Sequence, residues 1–329
     1  GAALAMKARA ALYYGDWQVA ADNAKKCMDL GVYELYDKDN TGKYAELFWE
    51  KADGCDEFIC VRQFESGVDD WYLFGWGGIN PTQSLVDAFE DIEGAPIAKS
   101  TIYDPTNPFE NRDPRLEVNV LHDGEVMYGV TIKVAPLKSS GNTGIGQHGD
   151  ATATGYYQHK WLDPSIYPGT DGWSMGKDAV VIRYAEVLLT YAEAKNELTG
   201  LDASAFDAVN QVRARVGMPA LQNNDPSNPA YCATQDDLRQ RIRNEWRVEF
   251  ALEGGKRQWD VRRWGIAMDV LNKPRLGLKY EIIGDECILY QGSQQAVGEA
   301  TAYKEHNYVY PVPQSEIDLN PKLTQNPGY

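Results

Sequence analysis

The chain has 329 residues, enough for one or two domains, and its 48 Asp and Glu outnumber its 32 Lys and Arg to give a formal charge of −16. That charge argues against nucleic-acid binding and against adsorption to anionic lipid, both of which depend on clustered cations. A hydrophobic fraction of 43% and a charged fraction of 24% exclude a disordered chain, while nine Trp and 20 Tyr against eight Phe supply rings with a polar handle, suited to half-exposed surfaces.

In chain order, residues 3–30 read as two helices. Leu4, Ala8, Ala11 and Leu12 recur at helical spacing, Gly15-Asp16 breaks the run, and Trp17 to Leu30 resumes it before Gly31, a helix-ending residue. The opening Gly1-Ala2-Ala3-Leu4 lies inside a helical pattern with no basic segment before it, so the chain reads as the continuation of a longer protein. From about residue 37 to 180 the composition turns to Gly, Pro, Asn, Asp and aromatics. Only short strand-like runs occur there: Glu57 to Phe64, Leu116 to Leu121 and Val130 to Val134. Helical patterns return over 181–272, with a second pair at Arg183 to Thr199 and Ala203 to Val216. A block follows at Gln235 to Glu253, continuing past Gly254-Gly255 to Leu271. Small residues at the contact positions of both pairs suit close packing of the tetratricopeptide kind. Pro311, Pro313, Pro321 and Pro327 make the end of the chain, about 300–329, an extended strap.

The chemistry-bearing patterns are mostly negative. Five cysteines (Cys27, Cys55, Cys60, Cys232, Cys287) show no CxxC spacing; Cys55 and Cys60 are near enough to bridge, but nothing requires it. The four His lie too far apart for a zinc site. Gly144-x-Gly146-x-x-Gly149 fits a dinucleotide fingerprint in letters but lacks the strand before and the helix after. Ser174-Met175-Gly176-Lys177 matches S-x-x-K without its companion motifs. The acidic loops Asp37-Lys38-Asp39-Asn40 and Asp69-Asp70 could hold calcium or be solvated charge runs; no EF-hand spacing occurs.

Five stretches together carry a family resemblance. They are Asn80-Pro81-Thr82 with Leu85 to Glu90; Asn111-Arg112-Asp113-Pro114-Arg115-Leu116; Arg183 to Leu189 with Tyr191 to Ala194; Arg243 to Ala251 with Gly255 to Asp260 and Arg263-Trp264-Gly265; and Tyr310 to Pro321 with Leu323 to Tyr329. In this order they closely resemble the SusD/RagB family. The resemblance implies a mostly α, TPR-like superhelix of helix pairs in one domain, with long loop-rich insertions and short strands. It implies a glycan-binding lipoprotein of the outer-membrane surface that hands oligosaccharides to a SusC-like TonB-dependent transporter, without a cofactor and without catalysis. It also implies that the lipid anchor, the only membrane contact, and further helix pairs lie N-terminal to this chain. One branch of the family takes peptides instead, and a TPR-type scaffold without its own ligand is a further reading.

Sugar binding calls for flat rings against pyranose C–H faces and planar polar groups for hydroxyls. The segment Trp71-Tyr72-Leu73-Phe74-Gly75-Trp76, preceded by Asp69-Asp70, supplies Trp71, Tyr72, Trp76 and Asp70 as an exposed platform, or else packs its loop onto the helices. A second cluster offers Tyr157, Trp161 and Trp173, although Tyr157 to Trp161 also reads as an alternating strand with one face buried. Trp246, Trp259 and Trp264 lie on helical patterns beside Arg247, Arg257, Arg262 and Arg263. These suit core packing with cation–π support, with Glu245, Glu249 and Asp260 as partners of those arginines.

Overall fold

The computed structural model describes residues 1–63, 79–165 and 177–329. Helix α1 (Ala2–Tyr14) buries Ala5, Ala8, Ala11 and Leu12 and stops at Gly15, whose φ of 85° ends the helix in the left-handed region. Asp16 then caps α2 (Trp17–Met28), accepting from the Val19 amide at 3.1 Å. With Ala20, Ala21, Ala24 and Cys27 on its inner face, α2 approaches its neighbours closely. Strand β1 (Phe58–Arg62), α3 (Gln83–Val86) and α4 (Arg115–Asn119) follow, then the short strands β2 (Val120–Leu121), β3 (Val126–Met127), β4 (Val130–Thr131) and β5 (Tyr157–Gln158). Strand β6 (Ala179–Arg183) runs directly into α5 (Tyr184–Thr199), and α6 (Ala203–Ala214) and α7 (Gln235–Glu249) complete the main helical layer. Next come α8 (Lys256–Arg263), α9 (Ala267–Leu271), a hairpin of β7 (Arg275–Ile283) and β8 (Glu286–Gly298), and α10 (Gln314–Leu319) within the terminal strap.

Helix α5 is the hub. It packs on α1, α2, α6 and α7 and is buried on all sides, Ala185, Leu188, Leu189, Ala192 and Ala194 being closed to solvent. A helix buried all round has no polar face to spare, so its acids are neutralised in place. Glu186 pairs with Arg9 and with Lys256 (2.6 Å), and Glu193 takes both ends of Arg263 at 2.6 and 2.9 Å. The helical core extends through Ile242, Trp246 and Phe250 of α7 and its C-terminal flank. On the other side, Val248 and Ala251 join a second core built from Val86, Phe89, Leu116, Val120, Leu121, Ile132, Val134, Tyr156 and Leu162. One helix is thus shared between the helical scaffold and the loop-rich region.

Three expectations from the sequence change. Most of Leu116 to Leu121 is helical: Pro114 supplies a pre-set φ of −56° at the helix start, and Asn119 Nδ2 donates back to the Arg115 carbonyl at 2.7 Å, leaving two residues to pair as β2. Within Val130 to Val134 only Val130 and Thr131 belong to a strand. The hairpin of β7 and β8 was not anticipated, yet Leu276, Leu278, Tyr280 and Ile282 alternate at period two and Gly284-Asp285 makes the two-residue turn, with Gly284 at φ 64°. Residues 300–329 contain one helical turn at Glu305–Tyr308 and α10 and otherwise no regular element. The Gln325 side chain holds this segment, accepting from the Val312 amide at 2.7 Å and donating to the Val312 carbonyl at 2.9 Å.

Candidate functional site

The loop-rich region is mounted on the helices by buried charge. Arg115 sets Nη2 on Asp113 at 2.6 Å and Nη1 on Glu249 at 3.1 Å and on Glu245. Arg213 joins Glu245 (3.0 Å) to Glu90 (2.9 Å), and Arg241 reaches Glu90 at 3.1 Å. Arg215 spans Glu57 (2.8 Å) and Glu249. Arg183 holds Glu57 (2.8 Å), Glu249 (2.6 Å) and Glu253 (2.8 Å), and Lys160 reaches Glu253 at 2.7 Å. Six cations therefore meet six carboxylates, so the cluster is neutral. Breaking such a network strands a buried charge, which is strongly destabilising.

The electrostatics follow from this geometry. Burial opposes ionisation of Glu249, but Arg215, Arg183, Arg115 and Lys160 surround it and hold its carboxyl well below the usual range. Burial pushes the Lys160 ammonium down to about 8, with Arg183 adding repulsion and Glu253 only partly compensating. Lys160 also donates to the carbonyls of Glu249 and Ala251 and lies 4.2 Å from the Phe48 ring centre. A lysine with a lowered pKa is a common catalytic signature, but Lys160 is closed to solvent and all its donors are occupied.

Beside this network β1 and β6 pair antiparallel. Phe58 faces Arg183 at one end and Arg62 faces Ala179 at the other. Lys177 is tied to Asp53, whose other oxygen accepts from the Asp178 amide at 3.1 Å. Segments 64–78 and 166–176 are continuous in sequence with the Arg62–Ala179 end. Asp70, Trp71, Tyr72, Trp76 and Trp173 lie in those segments and hence outside the described residues.

The other two expected ligand residues are walls of the fold. Tyr157 is 2% exposed; its hydroxyl accepts from the Thr152 amide and donates to the Thr143 carbonyl, both at 3.0 Å. The run it begins does not alternate: Tyr157, Gln158 and Lys160 are all buried, because Lys160 is held by the C-terminal flank of α7 while the Tyr157 hydroxyl, on the alternate position, is held by Thr143 and Thr152. Trp161 is half-buried at φ 79°, donates from Nε1 to the Leu252 carbonyl at 3.0 Å and meets Phe48 edge-on at 5.3 Å. Trp246 and Trp264 are core residues with arginines over their rings, as expected, whereas Trp259 is 43% exposed and stands against Tyr310 of the strap. Asp260 pairs with Arg263, but Glu245 and Glu249 turn to Arg115, Arg213, Arg183 and Arg215 instead of to the arginines of their own segment. Sequence reasoning missed those partners because they stand 32–134 residues away.

Among the described residues, a cleft of about 440 Å³ is lined by Glu34, Asp37, Asp39, Asp56 and Glu57. Its acids are largely engaged. Asp37 accepts from the Thr41 amide and hydroxyl and the Lys43 amide, which outweigh burial and lower its pKa; Glu34 pairs with Lys38; Glu57 belongs to the buried network. A glycosidase would want a carboxyl raised to act as general acid here, and Asp37 is shifted the opposite way. No group of three or more His, Cys, Asp or Glu among the described residues could hold a metal ion, and Cys55 and Cys60 are free thiols.

The SusD family model matches residues 37–329. SusD-like protein P2 of Formosa agariphila is 31% identical over 177 residues, covering 53% of this chain and 29% of that protein. A SusD-like carbohydrate-binding protein from Bacteroides fragilis superimposes with a TM-score of 0.83 at 30% identity, covering 98% of this chain and 64% of that one. A second SusD-like protein from the same organism gives 0.79 at 29% identity, over 99% and 64%. The chain thus spans less than two thirds of the length of these relatives.

Proposed function

Because the chain belongs to the SusD family, we propose that it captures oligosaccharides at the outer-membrane surface and passes them, chemically unaltered, to a partner TonB-dependent transporter of the SusC type. The observation carrying this reading is the β1–β6 ladder. One of its ends is locked into the buried charge network at Glu57 and Arg183. Its other end leads on both strands into the segments that bear Trp71, Tyr72, Trp76, Asp70 and Trp173. A rigid mount continuous in sequence with two ring-bearing segments suits a sugar platform, each ring contributing on the order of 1 kcal/mol. The strongly shifted groups Lys160 and Glu249 belong to the sealed network, which favours a holding role over a chemical one.

The test is affinity electrophoresis through gels containing plant, host or fungal polysaccharides, with Trp71→Ala and Trp76→Ala beside the parent. Retardation by one glycan class that weakens in the variants, without release of reducing sugar, is the expected result. Binding of oligopeptides with silence on every glycan, or sugar release, would overturn it.

A further inference from the structure

In a chain of charge −16, nearly every buried or half-buried cation described so far stands on a carboxylate. Arg112, which donates to the carbonyls of Val86, Phe89 and Pro108, does not, and neither do three arginines on α7 and at the start of α8. Arg243 and Arg247 are one turn apart on α7, and Arg257 is the second residue of α8. Arg243 and Arg257 lie against the same ring, their guanidinium carbons 5.0 and 5.6 Å from the centre of Trp264. The Arg243 Nε is buried without a hydrogen-bond partner. Arg247 spends one nitrogen on neutral acceptors, the carbonyl (2.7 Å) and hydroxyl (3.1 Å) of Ser84.

None of the nearby acids among the described residues forms a salt bridge with these three arginines. Glu193 is held by Arg263 and the Trp264 indole, Asp260 by Arg263, and Asp87 by Gln83. All three guanidiniums are therefore held down. Burial does so in each case, reinforced at Arg247 by Arg257, which brings it to about 10; the pull of Glu193 and Glu197 on Arg243, of Asp87 on Arg247 and of Asp260 on Arg257 compensates only in part. Like charges crowded into a half-desolvated surface repel one another, and an incoming oxyanion would relieve that repulsion while filling planar forks suited to two oxygens.

We propose that Arg243, Arg247 and Arg257 form a receptor for the oxyanions, uronate carboxylates or sulfate esters, of an acidic oligosaccharide. This rests on the glycan-binding reading and narrows it, since three clustered guanidiniums without a salt-bridged carboxylate favour an anionic glycan over a neutral one. The Trp264 ring holds two of the forks in place, and Ser84 fixes the third.

The experiment is affinity electrophoresis of the whole chain against paired polymers. A polyuronate runs beside its methyl ester, and a sulfated galactan beside its desulfated form, each at low and high salt. The Arg247→Gln, Arg257→Gln and double variants run in parallel, with circular dichroism to verify folding. At least one charged polymer should bind tenfold or more tighter than its neutralised form, and which pair responds tells carboxylate from sulfate. The double variant should erase that preference, and its salt slope should fall by about two, one for each cation removed. Single variants should lie between, so the outcome stands even if the double variant folds poorly. Equal binding of charged and neutral polymers, or an undiminished preference in the variants, overturns this inference and leaves glycan capture standing. Silence of these polymers overturns this inference, and silence on the plant, host and fungal panel as well overturns both.

Discussion

Glu57 and Arg183 stand side by side at the closed end of the β1–β6 ladder, Arg183 Nη1 donating to Glu57 Oε1 at 2.8 Å while the Tyr184 amide donates to the Glu57 carbonyl at the same distance. The second Glu57 oxygen takes Arg215 (2.8 Å) and the Tyr36 amide (2.7 Å). One carboxylate thus fastens strand β1, the start of α5, the end of α6 and the segment after α2.

Replacing Arg183 by Met should cost about 3–5 kcal/mol, because Glu57, Glu249 and Glu253 all lose a cation inside the protein. Urea denaturation of parent and variant measures it. A loss below 1 kcal/mol would mean that the remaining cations and penetrating water suffice to satisfy the carboxylates.

Acid should dissolve the same joint. An unfolded chain protonates Glu249 near its ordinary value of 4.5, whereas the folded chain resists until well below that. Between those values the unfolded state holds more protons, so stability contributed by Glu249 is complete above the unfolded value and drains away as the pH falls through the folded one. Glu249→Gln should be less stable at pH 7 and show a flatter acid limb in thermal melts from pH 7 to 3. Parallel limbs would refute the assignment.

Lys160 acts at the other end of the scale. The folded protein releases its proton near pH 8, the unfolded chain near 10.5, so stability should rise with pH between those values. Comparing urea midpoints at pH 8 and pH 10 for the parent and Lys160→Met isolates this contribution. The variant should lack that part of the rise; an equal change in both proteins would contradict it.

Ring substitutions should divide into two kinds. Tyr157→Phe removes a hydroxyl that satisfies a buried amide and carbonyl, and should cost about 1–2 kcal/mol while leaving glycan affinity as it was. Trp71→Ala and Trp76→Ala should each weaken glycan binding about five- to tenfold, a loss on the scale of one aromatic contact. Calorimetry with the responding polysaccharide reads both. An affinity loss in Tyr157→Phe would move the site inward.

The helical scaffold was legible because its determinants are local. The alanine spacing of α1 and α2, the Gly15-Asp16 break and the Gly254-Gly255 interruption sit within a turn or two of what they control. The loop-rich half is set by distant partners. Nothing near Lys160 announces Glu253, and nothing near Arg115 announces Glu245, 130 residues on. Tyr157, Gln158 and Lys160 break period two because distant segments cover both alternate positions, a property of the assembled protein and not of the pentapeptide. The hairpin had its signals, alternation and a Gly-Asp turn, but three glutamines in β8 obscured them. The stretches that carry the family resemblance include Asp113, Arg115, Arg183, Glu245 and Glu249, so much of what made the family recognisable is the joint that holds the molecule together.

The order of those charges along the chain has a consequence for synthesis. Arg115, Lys160, Arg183, Arg213 and Arg215 all emerge from the ribosome before Glu245, Glu249 and Glu253. Until α7 is complete, only Glu57, Glu90 and Asp113 of the network's acids exist to neutralise them. A nascent chain stopped short of residue 245 would have to bury surplus cations to close its second core, so the loop-rich half should close only once α7 has been made. Assembly is therefore gated by the C-terminal third, and truncations ending before residue 253 should yield unfolded, chaperone-bound or proteolysed material in place of a stable shorter protein.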